Sequence, residues 1–197
     1  YKDGLYIKNP IEYTLNRFGY RSKYSDIPNT DYILVLGCSN TFGTGLHEEH
    51  RYSNLLEDFY NIPVINISFP GGSQNLIRDN IFQLFVSRYR LPKLVVIQWP
   101  NPFRLTFNYT MLGPWTVRRN ESKWFVDSLE CIDAFSKTAK HQVDKLLEKL
   151  DIPCIDFSLK GSDKDIDIVD VGRDRDHGGI ETNNKIFEYI KKRNDAL

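Results

Sequence analysis

The sequence lacks the features that mark several classes of protein. It contains no run of about 18 consecutive apolar residues, which a membrane-spanning helix would need. It has no basic excess, because Lys and Arg together number 26 and so do Asp and Glu, whereas nucleic-acid-binding surfaces are usually basic. Internal repeats and low-complexity segments are also missing. We therefore expect a globular chain without a membrane span and without a nucleic-acid partner.

Cysteine is scarce as well. Cys38, Cys131 and Cys154 are odd in number, widely spaced and without a CxxC pair, which is typical of thiols in a reducing compartment. No signal peptide is recognisable, although the chain begins at Tyr1 without an initiator Met, so its native start stays open. These features predict a cytoplasmic protein. A chain of this length can bury enough surface to fold without a metal or a disulfide, and we expect no cofactor.

Short apolar runs recur along the 197 residues, which suffice for one domain. The runs are rich in β-branched residues, which is typical of strands buried on both faces of a parallel sheet, and the first three are followed within three residues by a Gly or Pro turn signal. They cover residues 32–36, 64–67, 94–97 and, more weakly, 153–157. The alternation with helical patterns predicts a three-layer α/β/α domain, with a flavodoxin-like parallel sheet of about five strands.

The helical patterns have apolar residues at helical spacing. They cover about 52–59, 76–89, 128–150 and 181–192. Their apolar residues include Phe59 in the first range, Tyr89 in the second and Phe135 in the third. We expect these apolar residues to face the core.

Two regions fall outside this alternation. Residues 1–30 are polar and aromatic without a clear period, which predicts an N-terminal extension packed on a domain of residues 31–197. Residues 103–127 form an aromatic insertion that includes Trp115. It follows the carboxyl end of a predicted strand, where open α/β sheets bind ligands. A substrate-binding wall and a hydrophobic flap filling a surface groove are equally compatible with it.

A glycine-rich turn, Gly37-Cys-Ser-Asn-Thr-Phe-Gly-Thr-Gly45, directly follows the first predicted strand. It would place Ser39 at the carboxyl edge of the sheet, where backbone N–H groups of a helical turn could face developing negative charge. A phosphate cradle has a similar composition, but the sequence has neither GxGxxG nor the Walker pattern here. Ser39 is therefore a candidate nucleophile; capping of the next helix is the simpler alternative.

Four segments, in this order, resemble the blocks of the SGNH (GDSL-like) hydrolases. The turn at Ser39 is similar to the first block, Gly-Asp-Ser-x-Thr-x-Gly-x-Gly, with Cys38 in place of Asp. Residues 66–73 resemble the second block, and residues 99–102 resemble the third, with Trp99 and Pro102 replacing its Gly and Asp. Asp-Arg-Asp-His at 174–177 resembles the last block, Asp-x-x-His, and residues 16–22 resemble a stretch that precedes the first block in some branches.

The resemblance implies an SGNH-hydrolase fold and an ester hydrolase working through a Ser39 acyl-enzyme. It implies His177 as the base and Asp174 as the group that orients it, since a serine hydroxyl needs a base to accept its proton. Donors to the oxyanion would be the N–H groups of Ser39 and Gly71 and the side chain of Asn101.

Each of these roles has an alternative. Asp176 is a second candidate partner for His177, and the acid–base pair could be a surface ion pair. Asn101 could only cap a turn between prolines. Cys38 is a rival nucleophile, although strand alternation should point it inward. His47 and His50, beside Glu48 and Glu49, would be compatible with a metal site, but a solvated helix start is the favoured interpretation.

The family acts on many esters, so the resemblance indicates the chemistry better than the substrate. Because aromatic rings stack on sugars, the insertion favours an O-acetyl group on a glycan, with Arg104 and Trp115 as substrate contacts. One alternative function is a catalytically inactive glycan-binding or structural module of a larger assembly; phosphate or nucleotide binding is a further, weaker one. The oligomeric state stays open.

Overall fold

The structure, a computed structural model, describes residues 11–87, 89–107, 110–112, 129–159 and 166–194. Six strands lie in this part of the chain: β1 (Ile33–Leu36), β2 (Val64–Asn66), β3 (Leu94–Trp99), β4 (Leu105–Phe107), β5 (Thr110–Leu112) and β6 (Cys154–Ser158). A parallel sheet has the order β2-β1-β3-β6, and β4 pairs with β5 in an antiparallel ribbon. The four predicted core strands are thus confirmed, and they make up the parallel sheet of the described residues.

Helices connect these strands. They are α1 (Ser39–Phe42), α2 (Tyr52–Tyr60), α3 (Gln74–Val86), α4 (Leu129–Lys149) and α5 (Ile180–Arg193), with a short 3-10 turn at Glu48–His50. None of the helices in the described ranges is both long and apolar enough to cross a membrane.

The sheet is covered on both faces. Side chains of successive strand residues point to opposite faces, so Leu34 packs under α3 and α4 while Ile33 packs under α2 and α5. The second face buries Leu56 of α2 and Ile186 of α5 completely. This arrangement confirms the predicted α/β architecture with a helix layer on each side.

The β4–β5 ribbon lies within the predicted aromatic insertion and was not predicted as strands. Three details of the helices also differ from the sequence prediction. Helix α3 ends at Val86, so Tyr89 lies beyond it. Phe59 is 55% exposed because it lies at the margin between α2 and α5, with its ring 5.6 Å from that of Phe187. Phe135, also expected to face the core, is 63% exposed. Helical spacing alone does not separate the centre of a buried face from its flank.

The N-terminal segment contacts the outer edge of β2 through Glu57. The Glu57 carboxylate accepts a hydrogen bond from the Val64 N–H (3.1 Å) and from the Tyr24 hydroxyl (2.8 Å), and it pairs with Lys23. Burial, reinforced by the hydrogen bond to Glu57, raises the pKa of Tyr24 to about 12. The hydroxyl therefore stays a proton donor to Glu57 at neutral pH.

Candidate active site

Ser39 lies at the carboxyl end of β1, as its position in the sequence predicts. The chain turns sharply at Gly37, where a Cβ atom would lie 2.1 Å from Thr41 Oγ1, so only glycine fits. Helix α1 begins at Ser39 itself; the residue at its cap position is Cys38, and no side chain caps this helix. Ser39 therefore does not cap this helix. The residue is 7% exposed.

Gln98 of β3 anchors the turn that carries Ser39. Its side-chain oxygen accepts hydrogen bonds from the Cys38 thiol (3.1 Å) and from the Thr41 hydroxyl (3.2 Å). Its amide group donates to the Trp99 carbonyl (2.9 Å), which fixes which end of the amide faces the turn. Cys38 is 3% exposed, so the rival thiol points into the protein and away from solvent.

Asn66, at the end of β2, provides the second anchor for the same turn. Its amide group donates to the Thr41 carbonyl (3.0 Å), and its oxygen accepts the Ser68 N–H (3.0 Å). Asn66 is buried, so these hydrogen bonds are shielded from water. The second predicted block is thus tied directly to the first.

Asp174 and His177 lie in contact on the loop before α5. His177 Nδ1 is hydrogen-bonded to Asp174 Oδ2, while Asp174 Oδ1 accepts the backbone N–H groups of His177 (3.2 Å) and Asp176 (3.3 Å). The structure therefore pairs His177 with Asp174, and the side chain of Asp176 is exposed. With Nδ1 engaged, Nε2 is the ring nitrogen left to exchange a proton.

The loop of residues 172–178, which carries Asp174 and His177 and is called the acid–base loop below, packs against the turn that carries Ser39. The Gly178 N–H donates to the side chain of Asn40 (2.9 Å), and the Arg173 N–H donates to the Gly45 carbonyl (3.1 Å). In the described part of the chain, no hydrogen bond joins Ser39 Oγ to the His177 ring. Such catalytic hydrogen bonds often tighten only when substrate is bound. The two loops are therefore joined by hydrogen bonds of residues next to Ser39 and His177, and not by the side chains of Ser39 and His177 themselves.

The three predicted oxyanion donors follow successive strands. Gly71 lies in the turn after β2, and its N–H has no acceptor among the described residues; the same holds for the Ser39 N–H. The side-chain oxygen of Asn101, after β3, accepts the Phe103 N–H (2.8 Å). Asn101 therefore does cap a turn, as the alternative predicted, and this contact leaves its amide NH₂ group as the end available to a ligand.

The residues at which the third block departs from the family pattern have structural roles. The Trp99 indole N–H donates to Asp156 (2.8 Å), and the ring is buried. The Pro102 carbonyl accepts the Ser136 hydroxyl (2.6 Å), and the Pro100 carbonyl accepts the Gln74 amide (3.2 Å). These hydrogen bonds fix the backbone on both sides of Asn101.

For the remaining predicted site residues, the structure gives a position but no contact that indicates a role. Arg104 is half-buried and directly precedes β4, and Trp115 lies outside the described residues. His47 precedes the short 3-10 turn, and His50 is its last residue. Within the described ranges, no group of three or more His, Cys, Asp or Glu side chains could hold a metal ion.

Asp170 fixes the far side of the acid–base loop to α5. Its carboxylate accepts the backbone N–H groups of Thr182 (2.7 Å) and Glu181 (3.0 Å) and the Thr182 hydroxyl (2.7 Å). Burial by itself would raise the pKa of Asp170, but the hydrogen bonds from Thr182, Glu181 and Gly179 outweigh it and hold the pKa below its usual value. The ionised carboxylate is therefore the form that stabilises the loop.

Replacing Asp170 by alanine is expected to lower the free energy of unfolding by about 1–2 kcal/mol at pH 7, because it removes the acceptor of two backbone N–H groups in the first turn of α5. A folded-state pKa below the unfolded value means that this stabilisation is present above about pH 4 and is lost as the pH falls through the folded-state pKa. Urea unfolding at pH 7 and pH 3 measures both effects, with Asp58→Ala on the exposed side of α2 as control. A variant as stable as the wild type at pH 7 would contradict this role.

Sequence reasoning missed Gln98, Asn66 and Asn40. Gln98 had a recognisable signal, because it is a polar residue that directly continues the apolar run at 94–97. A polar side chain in a buried strand requires partners, and at a carboxyl strand end those partners lie near the site. Asn40 gave no such signal, because its acceptor role depends on a loop that is distant in sequence.

No protein-family model matches the sequence, and no curated protein does either. One similar solved structure is a lipolytic protein of the G-D-S-L family from Veillonella parvula, with 13% identity, a TM-score of 0.47, and coverage of 85% of this chain and 100% of that one. A psychrotrophic esterase from Pseudoalteromonas has 17% identity, a TM-score of 0.42, and coverage of 83% and 98%.

A third neighbour is a family two carbohydrate esterase from Clostridium thermocellum, with 16% identity, a TM-score of 0.46, and coverage of 87% of this chain and 66% of that one. The neighbours are thus G-D-S-L lipolytic proteins and esterases, the class that the four sequence blocks resemble. At these identities the likeness concerns the fold.

Proposed function

We propose that the protein is a serine ester hydrolase with Ser39 as nucleophile, His177 as general base and Asp174 as the group that orients the base. The observation that carries the proposal is the Asp174–His177 contact on a loop whose Gly178 N–H is bound by Asn40, the residue next to Ser39. An ordinary surface ion pair would not need to be tied to the carboxyl edge of the sheet.

The proposed reaction proceeds in two steps. His177 Nε2 accepts the Ser39 proton as Ser39 Oγ attacks the ester carbonyl, and the alcohol then leaves with that proton. Water attacks the resulting acyl-enzyme with His177 again as base, which releases the acid and restores the serine. Asp174 stabilises the imidazolium form in both steps.

The oxyanion of each tetrahedral intermediate would be bound by the N–H groups of Ser39 and Gly71 and by the Asn101 amide. Support for this assignment comes from their positions after β1, β2 and β3, whose carboxyl ends lie side by side in the sheet. Donors that are already held in place cost no reorganisation when the negative charge develops. The anchored backbone around Asn101 meets that requirement.

For the substrate we propose a small ester, with an O-acetyl group on a glycan as the favoured case. The support comes from the sequence, in which the aromatic residues at 103–127 would offer stacking surfaces for a sugar ring. This insertion follows β3 directly, close to Asn101 in the chain. Arg104 and Trp115 stay candidate substrate contacts.

The proposal is tested by fluorophosphonate labelling of the wild type, with mass spectrometry to locate the adduct and p-nitrophenyl acetate hydrolysis measured in parallel. We expect one adduct, on Ser39, and loss of hydrolysis in proportion to labelling. Acetylated and deacetylated xylo-oligosaccharides then test the substrate class. A folded protein that is neither labelled nor active, yet binds a glycan, would contradict the proposal and favour the non-catalytic module.

A further inference from the structure

Arg21, in the N-terminal segment, is buried at the turn that carries Ser39. The residue is 1% exposed. Its guanidinium donates to the carbonyl oxygens of Phe42 (3.3 Å), Gly43 (2.6 Å) and Leu46 (2.9 Å). Each of these acceptors lies within seven positions of Ser39 along the chain. A single side chain from a distant segment therefore holds the backbone that follows the nucleophile.

The turn needs such a partner because α1 is only one turn long. Its last carbonyl groups have no further helical N–H groups to accept from, and buried carbonyl groups without partners are costly. A planar guanidinium with several donors can satisfy carbonyl groups that point in different directions. A positive charge at the carboxyl end of a helix is also favourable.

Tyr13 completes the arrangement. Its ring lies 4.5 Å from the Arg21 guanidinium, and its hydroxyl oxygen accepts the Gly45 N–H (2.9 Å). Gly45 has a φ angle of +80°, a backbone conformation that side chains rarely adopt. The N-terminal segment thus fixes Gly45 from both sides: Tyr13 binds its N–H, and Arg21 binds the carbonyl groups of Gly43 and Leu46.

Gly45 also contacts the acid–base loop directly. A Cβ atom there would lie 2.6 Å from Asp174 Oδ1, and the Gly45 carbonyl accepts the Arg173 N–H (3.1 Å). Asp174 is held against the backbone at this point. A shift of Gly45 would therefore move Asp174, and His177 with it, relative to Ser39.

Two buried arginines, Arg21 and Arg51, lie next to each other at this place. Arg51 Nη1 donates to the Arg21 carbonyl (2.7 Å), and burial, together with the nearby Arg21 charge, lowers the pKa of Arg51 to about 10. Burying charge is expensive, and the ion pair of Arg51 with Glu48 (2.7 Å) offsets part of that cost. What a guanidinium adds here, and an apolar side chain cannot, is the fixed direction of its hydrogen bonds.

We propose that Arg21, with Tyr13, is a positioning residue that sets the acid–base loop against Ser39 by holding the Gly43–Leu46 backbone. The inference rests on the proposed function for its catalytic consequence, but the geometry it concerns is independent of activity. Arg21 acts through Gly45 and Asp174 and does not touch the reacting atoms.

The test compares Arg21→Met, Arg21→Lys and Tyr13→Phe with Arg17→Met, whose arginine is exposed in the same segment and pairs with Asp26. Both kcat and KM for p-nitrophenyl acetate are measured, together with amide hydrogen exchange by mass spectrometry. For Arg21→Met we expect kcat roughly 100-fold lower, as for a misplacement of about 1 Å, with KM little changed. Loss of one hydrogen bond in Tyr13→Phe should lower kcat roughly threefold to tenfold.

Arg21→Lys should recover part of the lost kcat, and Arg17→Met should match the wild type. Exchange should accelerate at residues 43–46 and 172–178 in Arg21→Met and Tyr13→Phe, while the central strands keep their protection. General destabilisation would instead accelerate exchange across the sheet, which would overturn the inference. Exchange rates and kcat equal to those of the wild type in both Arg21→Met and Tyr13→Phe would also overturn the inference.

If Arg21→Met does not fold, Tyr13→Phe decides, because it removes a single hydroxyl from an exposed residue. If the wild type is not labelled at Ser39, the proposed function fails, and the exchange pattern alone then supports or overturns the positioning role.

Discussion

Replacing Ser39 by alanine is expected to lower kcat for p-nitrophenyl acetate by roughly 10⁶-fold, and adding His177→Ala is expected to cost little more. The two side chains act as a unit, because the base has no proton to accept once the hydroxyl is gone. Steady-state kinetics of the two single variants and the double variant measure this non-additivity. Losses that multiply would show that Ser39 and His177 act independently and would contradict the proposed mechanism.

Cys38→Ala is the matched control for the serine variant. It removes a buried thiol one position away and one hydrogen bond to Gln98. We expect at most a roughly tenfold loss of kcat from that hydrogen bond, and fluorophosphonate labelling should persist. If Cys38→Ala were inactive and Ser39→Ala active, the neighbouring thiol would be the nucleophile.

Replacing Asp174 by asparagine is expected to lower kcat by roughly 10⁴-fold, with little effect on folding. Asp174 Oδ1 accepts two backbone N–H groups, so the oxygen of an asparagine would keep that position. Its NH₂ group would then face His177 Nδ1 and force this nitrogen to accept a hydrogen bond. The ring proton would move to Nε2, and the imidazole could no longer take the proton of Ser39.

Asp176→Asn provides the comparison, because it makes the same chemical change two residues away. The Asp176 side chain is exposed, and its backbone N–H, which binds Asp174, is unaffected by the substitution. Surface substitutions of this kind change free energies little, so kcat should stay within roughly twofold of the wild type. Equal losses in the two variants would return the pairing of His177 to an open question.

The four strands of the parallel sheet and the main helices could be predicted from the sequence because their signals are local, whereas the β4–β5 ribbon was not predicted. Buried parallel strands are continuous apolar runs, and the run at 32–36 corresponds to β1 within one residue. Asp174 and His177 could be identified as a pair because they are three positions apart on one loop. Their proposed roles rest on a resemblance of short blocks and on the geometry together.

The links between loops could not be predicted in the same way. The hydrogen bond from the Gly178 N–H to Asn40 joins residues 138 positions apart, and the contacts of Arg21 with Gly43 and Leu46 span more than twenty. Such pairings depend on where the chain returns after several crossovers, which no local pattern encodes. The structure therefore adds the hydrogen bonds that hold the loops of the candidate site together, whereas the candidate reacting groups could be identified from the sequence.

The contact between the N-terminal segment and Glu57 has a consequence for how the chain can be shortened. In the described sheet β2 is an outer strand, and its Val64 N–H is bound by Glu57, which Tyr24 and Lys23 hold in turn. Outer strands with unpaired backbone groups are sites of aggregation by strand addition between molecules. A shortened protein that begins at residue 31 would lack Lys23 and Tyr24, and the Glu57 side chain could then turn toward water. We therefore expect the residues before β1 to limit self-association through this edge, in addition to their contacts with the turn at Ser39.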